Sequence, residues 1–249
     1  MTIKQSKYLR LINFLKKKYF KEMYQPSWLG IILNPFYIVR NGLNQNIKYL
    51  SKNLKGNLLD IGCGSKPYED FFKVKKYIGL DIESKKSKNK KKADFFYDGR
   101  KFPFKSASFD CAICSEVIEH VFDPDYFLKE TNRVLKKNGR LLISAPFIWD
   151  EHEQPYDYAR YSSFGLRHLL KKNNFTIILE KKNGTDVSAI FQLINCYIYK
   201  IIEKYPKFLR LIIFFLIMGS LNILGLLLGK TLPKNKDFYL GNIFLVKKR

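Results

Sequence analysis

Residues 58–68 read Leu58-Leu59-Asp60-Ile61-Gly62-Cys63-Gly64-Ser65-Lys66-Pro67-Tyr68, and the rest of the chain is interpreted outward from them. Two leucines and an isoleucine around one acid are typical of a short buried parallel strand. The strand breaks at Gly62 and Gly64, where the missing Cβ permits a tight turn and close approach of a ligand. Pro67 suits the first turn of a helix. This order predicts a crevice for an anionic ligand group at the carboxyl end of a parallel sheet.

A second strand, Tyr77-Ile78-Gly79-Leu80-Asp81, ends in an acid about twenty residues after the first. A carboxylate in this position can accept hydrogen bonds from both hydroxyls of a ribose. A nucleotide-like ligand is therefore predicted, and up to this point NAD fits equally well. The third glycine of the dinucleotide fingerprint is missing, which weighs against NAD.

Three further motifs follow in order: Asp98-Gly99-Arg100-Lys101-Phe102-Pro103-Phe104, then Ser108-Phe109-Asp110, then Glu116-Val117-Ile118-Glu119-His120-Val121. This order resembles the class I S-adenosylmethionine-dependent methyltransferases, from roughly residue 57 to residue 147 and again at the C-terminus. The resemblance implies an α/β fold with a Rossmann-like, doubly wound sheet of seven strands, of which the last is antiparallel. It also implies S-adenosylmethionine as the cofactor.

The resemblance assigns roles to matching residues. The glycine loop lies against the methionine portion of the cofactor, Asp60 orients that loop and the amino group, and Asp81 holds the ribose. Asp98 faces the adenine amino group. The cofactor-binding set implied in this way is Asp60, Gly62, Cys63, Gly64, Asp81, Ile82, Asp98, Gly99, Ser115 and Glu116. For Asp60 and Asp81 the alternative is a helix cap or turn acid.

Composition limits the number of domains but does not identify the binding partner. A chain of 249 residues with 46% hydrophobic content predicts one catalytic domain. The formal charge of +23 is compatible with nucleic acid, with an anionic membrane surface, or with a lysine-rich genome. The four cysteines show no paired framework and no cleavable signal peptide is visible, so a cytoplasmic setting is expected. Cys111 and Cys114 permit a metal or redox interpretation, but their run is typical of a buried fourth strand.

The element pattern predicts four segments: an N-terminal helical cover over residues 1–52, a methyltransferase core over 53–186, a hydrophobic helical insertion over 187–236, and the last strand over 237–249. In the cover, one face of a basic helix is apolar and lies either on a membrane or on the domain; its residues are Tyr8, Leu11, Ile12, Leu15 and Tyr19.

Two further features precede or interrupt the core. Asn34-Pro35 begins a second helix. The lysine-rich residues 85–92 predict an exposed loop, with attraction to lipid or glycan-carrier phosphates as the alternative.

Later elements follow from caps and apolar runs. A helix is predicted over Pro124–Lys137 with Asn138-Gly139 as its C-cap, and a fifth strand over Arg140–Phe147. Ser162 caps the next helix. The sixth strand is predicted over Phe175–Leu179 and the seventh over Tyr239–Val246.

The loop after the fifth strand, His152-Glu153-Gln154-Pro155-Tyr156-Asp157-Tyr158-Ala159-Arg160-Tyr161, is predicted to recognise the substrate, because the fifth strand must open onto the same crevice. It resembles the loop of methyltransferases that act on cell-surface glycans and lipid-linked sugars. His152 is the first candidate for the catalytic base and His120 the second. The substrate-binding candidates are Glu153, Tyr156, Asp157, Arg160 and Tyr161. One alternative is a lid held by Arg160 with Asp157 or Glu153. Another is a metal held by His152, Glu153 and Asp157, although no metal is expected.

The insertion contains the charge-free run Leu211–Gly229, with basic residues on both sides. Its length suffices to cross a bilayer, but the seventh strand must rejoin the sheet, so a helical hairpin that dips into the inner face of the membrane is expected. A soluble lid and a homodimer interface are the alternatives.

The sequence thus predicts an O-methyltransferase that acts on a glycan or lipid-linked acceptor at the membrane. The alternatives are an RNA or small-molecule methyltransferase and a noncatalytic cofactor-binding adaptor. Nucleic acid is disfavoured as a partner because the fourth strand runs into Ser115-Glu116 and lacks the Asn-Pro-Pro-aromatic pattern of amino-group methylases.

Overall fold

The computed structural model of the chain describes residue 14, residues 16–84 and residues 92–249. These residues divide into two compact units. The sheet unit comprises the described residues of Gln45–Thr185 together with Lys236–Arg249, and the helical unit comprises Asp186–Asn235 together with the described residues up to Asn44. Tyr8, Leu11, Ile12 and Leu15 lie outside the described residues, as does most of the predicted lysine loop.

In the described ranges, seven strands form one sheet: β1 (Asn57–Ile61), β2 (Lys76–Ile82), β3 (Phe95–Tyr97), β4 (Phe109–Ser115), β5 (Leu135–Pro146), β6 (Phe175–Thr185) and β7 (Tyr239–Lys248). Their order across the sheet is β3-β2-β1-β4-β5-β7-β6. The first five strands pair in parallel, whereas β7 runs antiparallel to both β5 and β6. The predicted Rossmann-like sheet with an antiparallel strand seven is confirmed.

Seven α-helices are assigned in the same ranges, besides a helical stretch over residues 16–24: α1 (Gly30–Leu33), α2 (Tyr37–Ser51), α3 (Pro124–Val134), α4 (Ser163–Lys172), α5 (Val187–Ile202), α6 (Lys207–Ile213) and α7 (Gly219–Thr231). Several begin at the predicted caps. The Asp123 carboxylate accepts from the Tyr126 N–H, the Ser162 hydroxyl from the Gly165 N–H, and the Asn34 amide oxygen from the Phe36 N–H. Each satisfies an N–H group that the helix leaves unpaired.

The core of the sheet unit is apolar on both faces of the central strands. Leu58, Leu59 and Ile61 of β1 are fully buried between β2 and β4. Cys111 and Cys114 lie buried within β4 as the core interpretation predicts. Burial on both faces explains why β1 and β4 are nearly continuous apolar runs.

Four predicted boundaries are wrong, including the start of β5, which begins at Leu135 and not at the predicted Arg140. No α-helix follows Pro67: Lys66 adopts a left-handed φ of 54°, and a short 3-10 helix at Glu69–Phe71 leads to β2. Helix α3 ends at Val134 because Leu135 already pairs with Phe109, so Asn138-Gly139 forms an irregularity within β5 instead of a helix cap. Strand β6 extends to Thr185, because β7 pairs along its length.

The helical unit is a packed hairpin joined to α1. Helices α6 and α7 are continuous through a π-helical segment, Phe214–Met218, which ends at the predicted break beside Gly219. A Cβ on Gly225 would lie 2.8 Å from the Phe191 Cβ, so α5 and α7 pack closely there. The buried Asn222 amide donates to the Ile31 and Asn34 carbonyls and its oxygen accepts from Asn195. This polar network ties α7 to both α5 and the end of α1.

Candidate functional site

A turn after β1 forms the centre of the candidate site. Gly62 and Gly64 have φ values of 70° and 51°, which residues with a Cβ rarely adopt. The N–H groups of Gly62 and Cys63 donate to the Leu80 carbonyl at 2.8 and 3.1 Å, which pins the turn to β2. A Cβ added to Gly64 would meet no atom of the described residues within 4 Å. The turn therefore presents its backbone to open space, as close contact with a ligand requires.

Asp60 lies beneath this turn and is almost fully buried. Its Oδ2 accepts a hydrogen bond of 2.6 Å from the Tyr77 hydroxyl. Burial raises the pKa of Asp60 to about 7, and the Tyr77 hydrogen bond opposes the shift. A carboxyl group with this pKa can gain a negative charge at neutral pH when a cationic group binds beside it.

Two further acids lie at the carboxyl ends of β2 and β3, at the same edge of the sheet. The partly exposed Asp81 accepts a hydrogen bond from the Ile82 N–H at 2.9 Å. The exposed Asp98 accepts one from the Arg100 N–H at 3.0 Å. A Cβ on Gly99 would touch Ile82 Cδ1 at 3.5 Å, so the two strand ends adjoin. The half-exposed Ile82 side chain between them offers an apolar surface to a base ring.

The end of β4 is held to β5 by a hydroxyl pair. The Ser115 and Ser144 hydroxyls are 3.1 Å apart, and the Glu116 N–H donates to the Ser144 hydroxyl and carbonyl at 3.1 and 3.2 Å. Glu116 has a left-handed φ of 54°. Such a conformation in a residue with a Cβ is uncommon and is often stabilised at functional sites.

The segment after Glu116 contacts the glycine turn. A Cβ on Gly62 would lie 2.5 Å from the Val117 Cγ2, so these two segments touch. The Glu119 side chain lies fully buried behind this contact, and its main-chain oxygen accepts from the Tyr158 N–H at 2.8 Å. Burial, reinforced by the Glu116 charge, raises the pKa of Glu119 well above its usual range.

The two candidate bases lie against each other. The His120 and His152 rings are 4.8 Å apart between centroids and nearly perpendicular. The Nδ1 atom of His120 is 2.7 Å from the Tyr156 carbonyl, and burial lowers the pKa of His120. The Nδ1 atom of His152 is 3.2 Å from the Asp150 carbonyl. Both rings are partly exposed, so an acceptor molecule can reach them.

The predicted substrate loop is held by an internal ion pair. Arg160 donates to both oxygens of Asp157 at 2.6 Å and to the Asp150 carbonyl at 2.7 Å. Hydrogen bonds from Arg160 lower the pKa of Asp157 to about 2. This geometry corresponds to the lid alternative, because both charged groups are occupied within the loop.

The other substrate-binding candidates lie around this pair. Tyr156 is 63% exposed, Glu153 is exposed, and Tyr161 is partly buried with its N–H donating to the Pro146 carbonyl at 3.1 Å. Exposed Tyr158 and Phe122 form an edge-to-face pair at 5.4 Å. These aromatic rings form an apolar margin beside the histidines.

Sequence reasoning missed three side chains of the site. Tyr77 holds Asp60, Ser144 holds the end of β4, and Glu119 lies beside the histidine pair. Glu119, His120 and His152 offer ligand atoms that all lie within 4.8 Å of one another. A signal for Glu119 existed in the spacing Glu116-Val117-Ile118-Glu119-His120, which places two acids and a histidine in one short turn.

Residues 37–180, more than half of the chain, match the family model described as a methyltransferase domain. The chain belongs to this methyltransferase family. It is a class I member, and S-adenosylmethionine is its cofactor. The site fits this cofactor, because open space at Gly64 and acids at the ends of β1, β2 and β3 suit a ligand with an ammonium group and a ribose diol.

Solved structures of this methyltransferase fold confirm the architecture. The phosphoethanolamine N-methyltransferase 2 of Haemonchus contortus, solved with phosphomonomethylethanolamine and S-adenosylhomocysteine, is 19% identical with a TM-score of 0.54. The match covers 92% of this chain and 57% of that one. The (4+2)-cyclase SpnF is 16% identical with a TM-score of 0.51, over 84% of this chain and 83% of that one. At these identities the likeness concerns the fold alone.

A methyltransferase relative matches at the level of sequence. The ubiquinone biosynthesis O-methyltransferase of Pelagibacter ubique is 35% identical over 103 residues, which cover 37% of this chain and 42% of that protein. The chain spans less than half the length of the curated relatives it matches.

Proposed function

We propose that this methyltransferase transfers a methyl group to a hydroxyl of a glycan or lipid-linked intermediate at a membrane surface. The observation that carries the proposal is the contact between the glycine turn and the segment that leads to Glu119 and His120. Groups able to activate a hydroxyl lie next to the turn that is assigned to the cofactor. Activation and methyl donation are therefore available in one crevice.

The cofactor supplies an electrophilic methyl group on a positively charged sulfur. The residues of the strand ends would hold and orient it: the glycine turn with Cys63 would bind the methionine part, Asp60 the ammonium group, and Asp81 the ribose. Asp98, Gly99 and Ile82 would hold the adenine, while Ser115 and Glu116 would flank the cofactor. Alignment of the acceptor oxygen with the methyl–sulfur bond provides most of the rate.

His152, with His120 as second candidate, activates the acceptor hydroxyl. Nδ1 of each ring lies against a carbonyl oxygen, which only an N–H can approach favourably, so Nε2 of each carries the lone pair. Neutral imidazole is the form that can accept a proton from a hydroxyl. The low pKa of His120 keeps its ring in that form at neutral pH.

The acceptor class is inferred from the surroundings of the histidines. The exposed rings of Tyr156, Tyr158 and Phe122 suit the apolar faces of sugars or lipid-linked head groups, and Glu153 and Tyr161 add polar contacts. Asp157 and Arg160 act by holding the loop. The similarity to a relative named as an O-methyltransferase supports oxygen as the methylated atom.

Membrane association is proposed from the helical unit. Lys207–Thr231 is a 25-residue helix with a mean hydropathy of 2.6 in its most apolar window, of which 22% is buried. Large apolar side chains are exposed along the hairpin: Ile190, Ile194, Tyr197, Leu211, Phe215, Leu216 and Leu227.

Chain geometry favours a dipping hairpin over a crossing. Thr185 pairs with Tyr239, so the chain leaves and re-enters the sheet at the same place. Helix α5 has 16 residues and is about 24 Å long, shorter than the roughly 30 Å hydrocarbon core. The methyltransferase fold is consistent with a cytoplasmic location, and the hairpin would hold it to the inner face of the membrane.

A screen of methyl acceptors tests the proposed reaction. Purified protein with radiolabelled S-adenosylmethionine should label lipid-linked or nucleotide sugars and give a base-stable ether. Ubiquinone precursors, free glycans and RNA complete the panel. Labelling of RNA alone, or of an amine alone, would refute the proposal. Absence of turnover on every class would favour an adaptor.

Substitution of the proposed base tests the catalytic assignment. His152→Ala should lower turnover by roughly a hundredfold while leaving affinity for S-adenosylhomocysteine nearly intact. His168→Ala is the matched control, because His168 is exposed on α4. An unchanged rate in His152→Ala would leave the loop as a binding lid only.

A further inference from the structure

The Glu119 carboxyl group is buried in the part of the chain that the structure describes, and its oxygens are not satisfied by hydrogen bonds. Its side chain is 0% exposed, and neither oxygen has a hydrogen-bond partner among the described residues. The nearest ring nitrogen, Nε2 of His120, lies 3.8 Å from Oε1, which is too far for a hydrogen bond. Arg160 is committed to Asp157 by two hydrogen bonds of 2.6 Å. Buried carboxylates are normally paired, hydrogen-bonded or bound to a metal.

The two histidines are oriented as metal ligands are. Nδ1 of His120 faces the Tyr156 carbonyl at 2.7 Å, and Nδ1 of His152 faces the Asp150 carbonyl at 3.2 Å and the Asp157 carboxylate at 3.4 Å. Each Nδ1 therefore carries the proton and each Nε2 keeps its lone pair. A carbonyl or carboxylate behind the distal nitrogen is the usual second contact of a metal-bound histidine.

From these two observations we infer that Glu119, His120 and His152 form a binding site for one divalent metal cation. Their ligand atoms lie within 4.8 Å of one another, so one ion between them would reach all three after small side-chain rotations. Glu119 Oε1 and His120 Nε2 are 3.8 Å apart, a separation that one cation bound to both atoms would span. A cation satisfies all of these groups at once.

The donor set indicates the class of ion. Two imidazole nitrogens and one carboxylate favour Zn²⁺, Fe²⁺, Co²⁺ or Mn²⁺ over Ca²⁺, which prefers oxygen ligands. Three protein ligands leave coordination positions open for other groups. The carboxylate of Glu116, which interacts electrostatically with Glu119, adds negative charge to the same region.

The role of the inferred ion in the reaction refines the proposed function and rests on it, whereas the binding site itself is inferred from Glu119, His120 and His152 alone. An acceptor hydroxyl in an open coordination position would be acidified by the cation. Its O–H bond breaks and the proton passes to solvent water, which reaches the partly exposed rings. The oxygen electron pair forms the bond to the methyl carbon, and the sulfur–methyl bond breaks with its pair retained by sulfur. In this refined form the cation replaces the histidines as the activator of the hydroxyl. His120 and His152 act as its ligands, since a nitrogen that binds a cation accepts no proton.

Direct metal binding tests the site without turnover. Full-length protein in mild detergent is stripped with a chelator, and Co²⁺ is added while visible absorption and calorimetry are recorded. We expect one equivalent to bind with micromolar or tighter affinity and with visible bands of a nitrogen–oxygen site. Zn²⁺ should displace the Co²⁺ and abolish the bands. Absence of stoichiometric binding would overturn the inference.

Ligand variants locate the ion. Glu119→Gln, which keeps shape and removes charge, and His152→Gln, on the partly exposed loop, should each weaken Co²⁺ binding by about a hundredfold or more. His168→Gln should bind as the wild type does. Heat release on titration with S-adenosylhomocysteine verifies that each variant is folded. If Glu119→Gln does not fold, the Co²⁺ affinity of His152→Gln tests the site in its place. Equal Co²⁺ affinity in wild type and folded variants would overturn the inference.

Turnover separates the ion from the proposed reaction. Stoichiometric Co²⁺ binding at these residues with no hydroxyl methylated would refute the proposed function and leave the metal site standing. Hydroxyl methylation that continues at full rate in chelator-stripped protein would refute the metal's role and leave the proposed function standing. Loss of methylation on stripping with recovery on addition of Mn²⁺, Co²⁺ or Zn²⁺ would support both.

Discussion

At the scale of single residues, Asp81 provides the clearest measure of cofactor recognition. It ends β2 beside the glycine turn and is partly exposed at the crevice. If Asp81 holds the ribose as proposed, Asp81→Ala should weaken S-adenosylhomocysteine binding by about 2 to 4 kcal/mol, roughly 30- to 800-fold, because two charge-assisted hydrogen bonds would be lost. Isothermal titration calorimetry measures the change.

The control for this substitution is Asp70→Ala, which removes an exposed acid from the short helix Glu69–Phe71. Its affinity for S-adenosylhomocysteine should match that of the wild type. An Asp81→Ala protein that binds as tightly as the control would mean that the ribose is held by other groups.

Asp60 predicts a dependence of stability on pH. Its folded pKa of about 7 exceeds the ordinary 3.8, so between these values the folded state holds a proton that the unfolded state has released. The contribution of Asp60 to stability is therefore complete below about pH 4 and is lost as the pH rises toward 7. Denaturant unfolding at pH 4.5 and 7.5 should show a fall of up to a few kcal/mol.

Asp60→Asn isolates this effect, because the amide oxygen can still accept the Tyr77 hydroxyl while no charge develops. The difference in unfolding free energy between wild type and variant should change across that interval, whereas Asp70→Asn should track the wild type. Parallel pH profiles of wild type and Asp60→Asn would show that Asp60 titrates normally.

At the scale of elements, alanine substitution of the two glycines in the turn after β1 should have two different effects, one on stability and one on ligand affinity. A Cβ at Gly62 meets Val117 at 2.5 Å, whereas a Cβ at Gly64 enters open space. Gly62→Ala should lower the unfolding free energy by roughly 1 to 3 kcal/mol through overpacking and left-handed strain. Gly64→Ala carries the left-handed strain without the overpacking. It should lower affinity for S-adenosylhomocysteine more than it lowers stability, because its methyl group would enter the proposed ligand space.

Thermal unfolding and calorimetry on the same samples distinguish these two outcomes. Gly165→Ala in α4 serves as the control, since its Cβ would make an ordinary contact of 3.5 Å with the Ser162 hydroxyl. Similar profiles for Gly62→Ala and Gly64→Ala would indicate that the turn responds as one unit, without a distinct ligand-facing position.

At the scale of the whole molecule, the exposed apolar side chains of the hairpin predict that the protein partitions into the membrane fraction and not into the soluble fraction. Wild-type protein should sediment with membranes and require detergent for release, because salt weakens the attraction of lysines but leaves apolar burial intact. The double variant Leu216→Glu with Leu227→Glu should shift to the supernatant, since both side chains are more than half exposed. Fractionation followed by immunoblotting measures the shift.

Phe164→Glu is the matched control, because Phe164 is 74% exposed on α4 of the sheet unit. It should remain with the membrane fraction. Wild-type protein that is monodisperse in plain buffer, as a dimer that the double variant converts to a monomer, would replace the membrane hairpin by a subunit interface.

The order of motifs was enough to predict the sheet, whereas several boundaries depended on tertiary pairing. Leu135 continues an apolar helical stripe in sequence, but its pairing with Phe109 ends α3 three residues early. Pro67 is compatible with a helix, but Lys66 before it adopts a left-handed φ, and the segment that leads to β2 forms only the 3-10 turn Glu69–Phe71. Local propensity is a weak prior where a neighbouring strand satisfies the backbone.

By itself the sequence predicted the glycine turn and a nucleotide-like ligand, because strand periodicity, glycine placement and acid spacing act over short segments. The seven-stranded sheet and S-adenosylmethionine followed from the resemblance of the motif order to class I methyltransferases. Only the tertiary structure decided which polar groups meet at the acceptor side. Glu119 and His152 are far apart in the chain, and their approach depends on β4 and β5 pairing in register and on Arg160 holding the loop. Burial of Glu119 is likewise a property of packing around it, which no local pattern encodes.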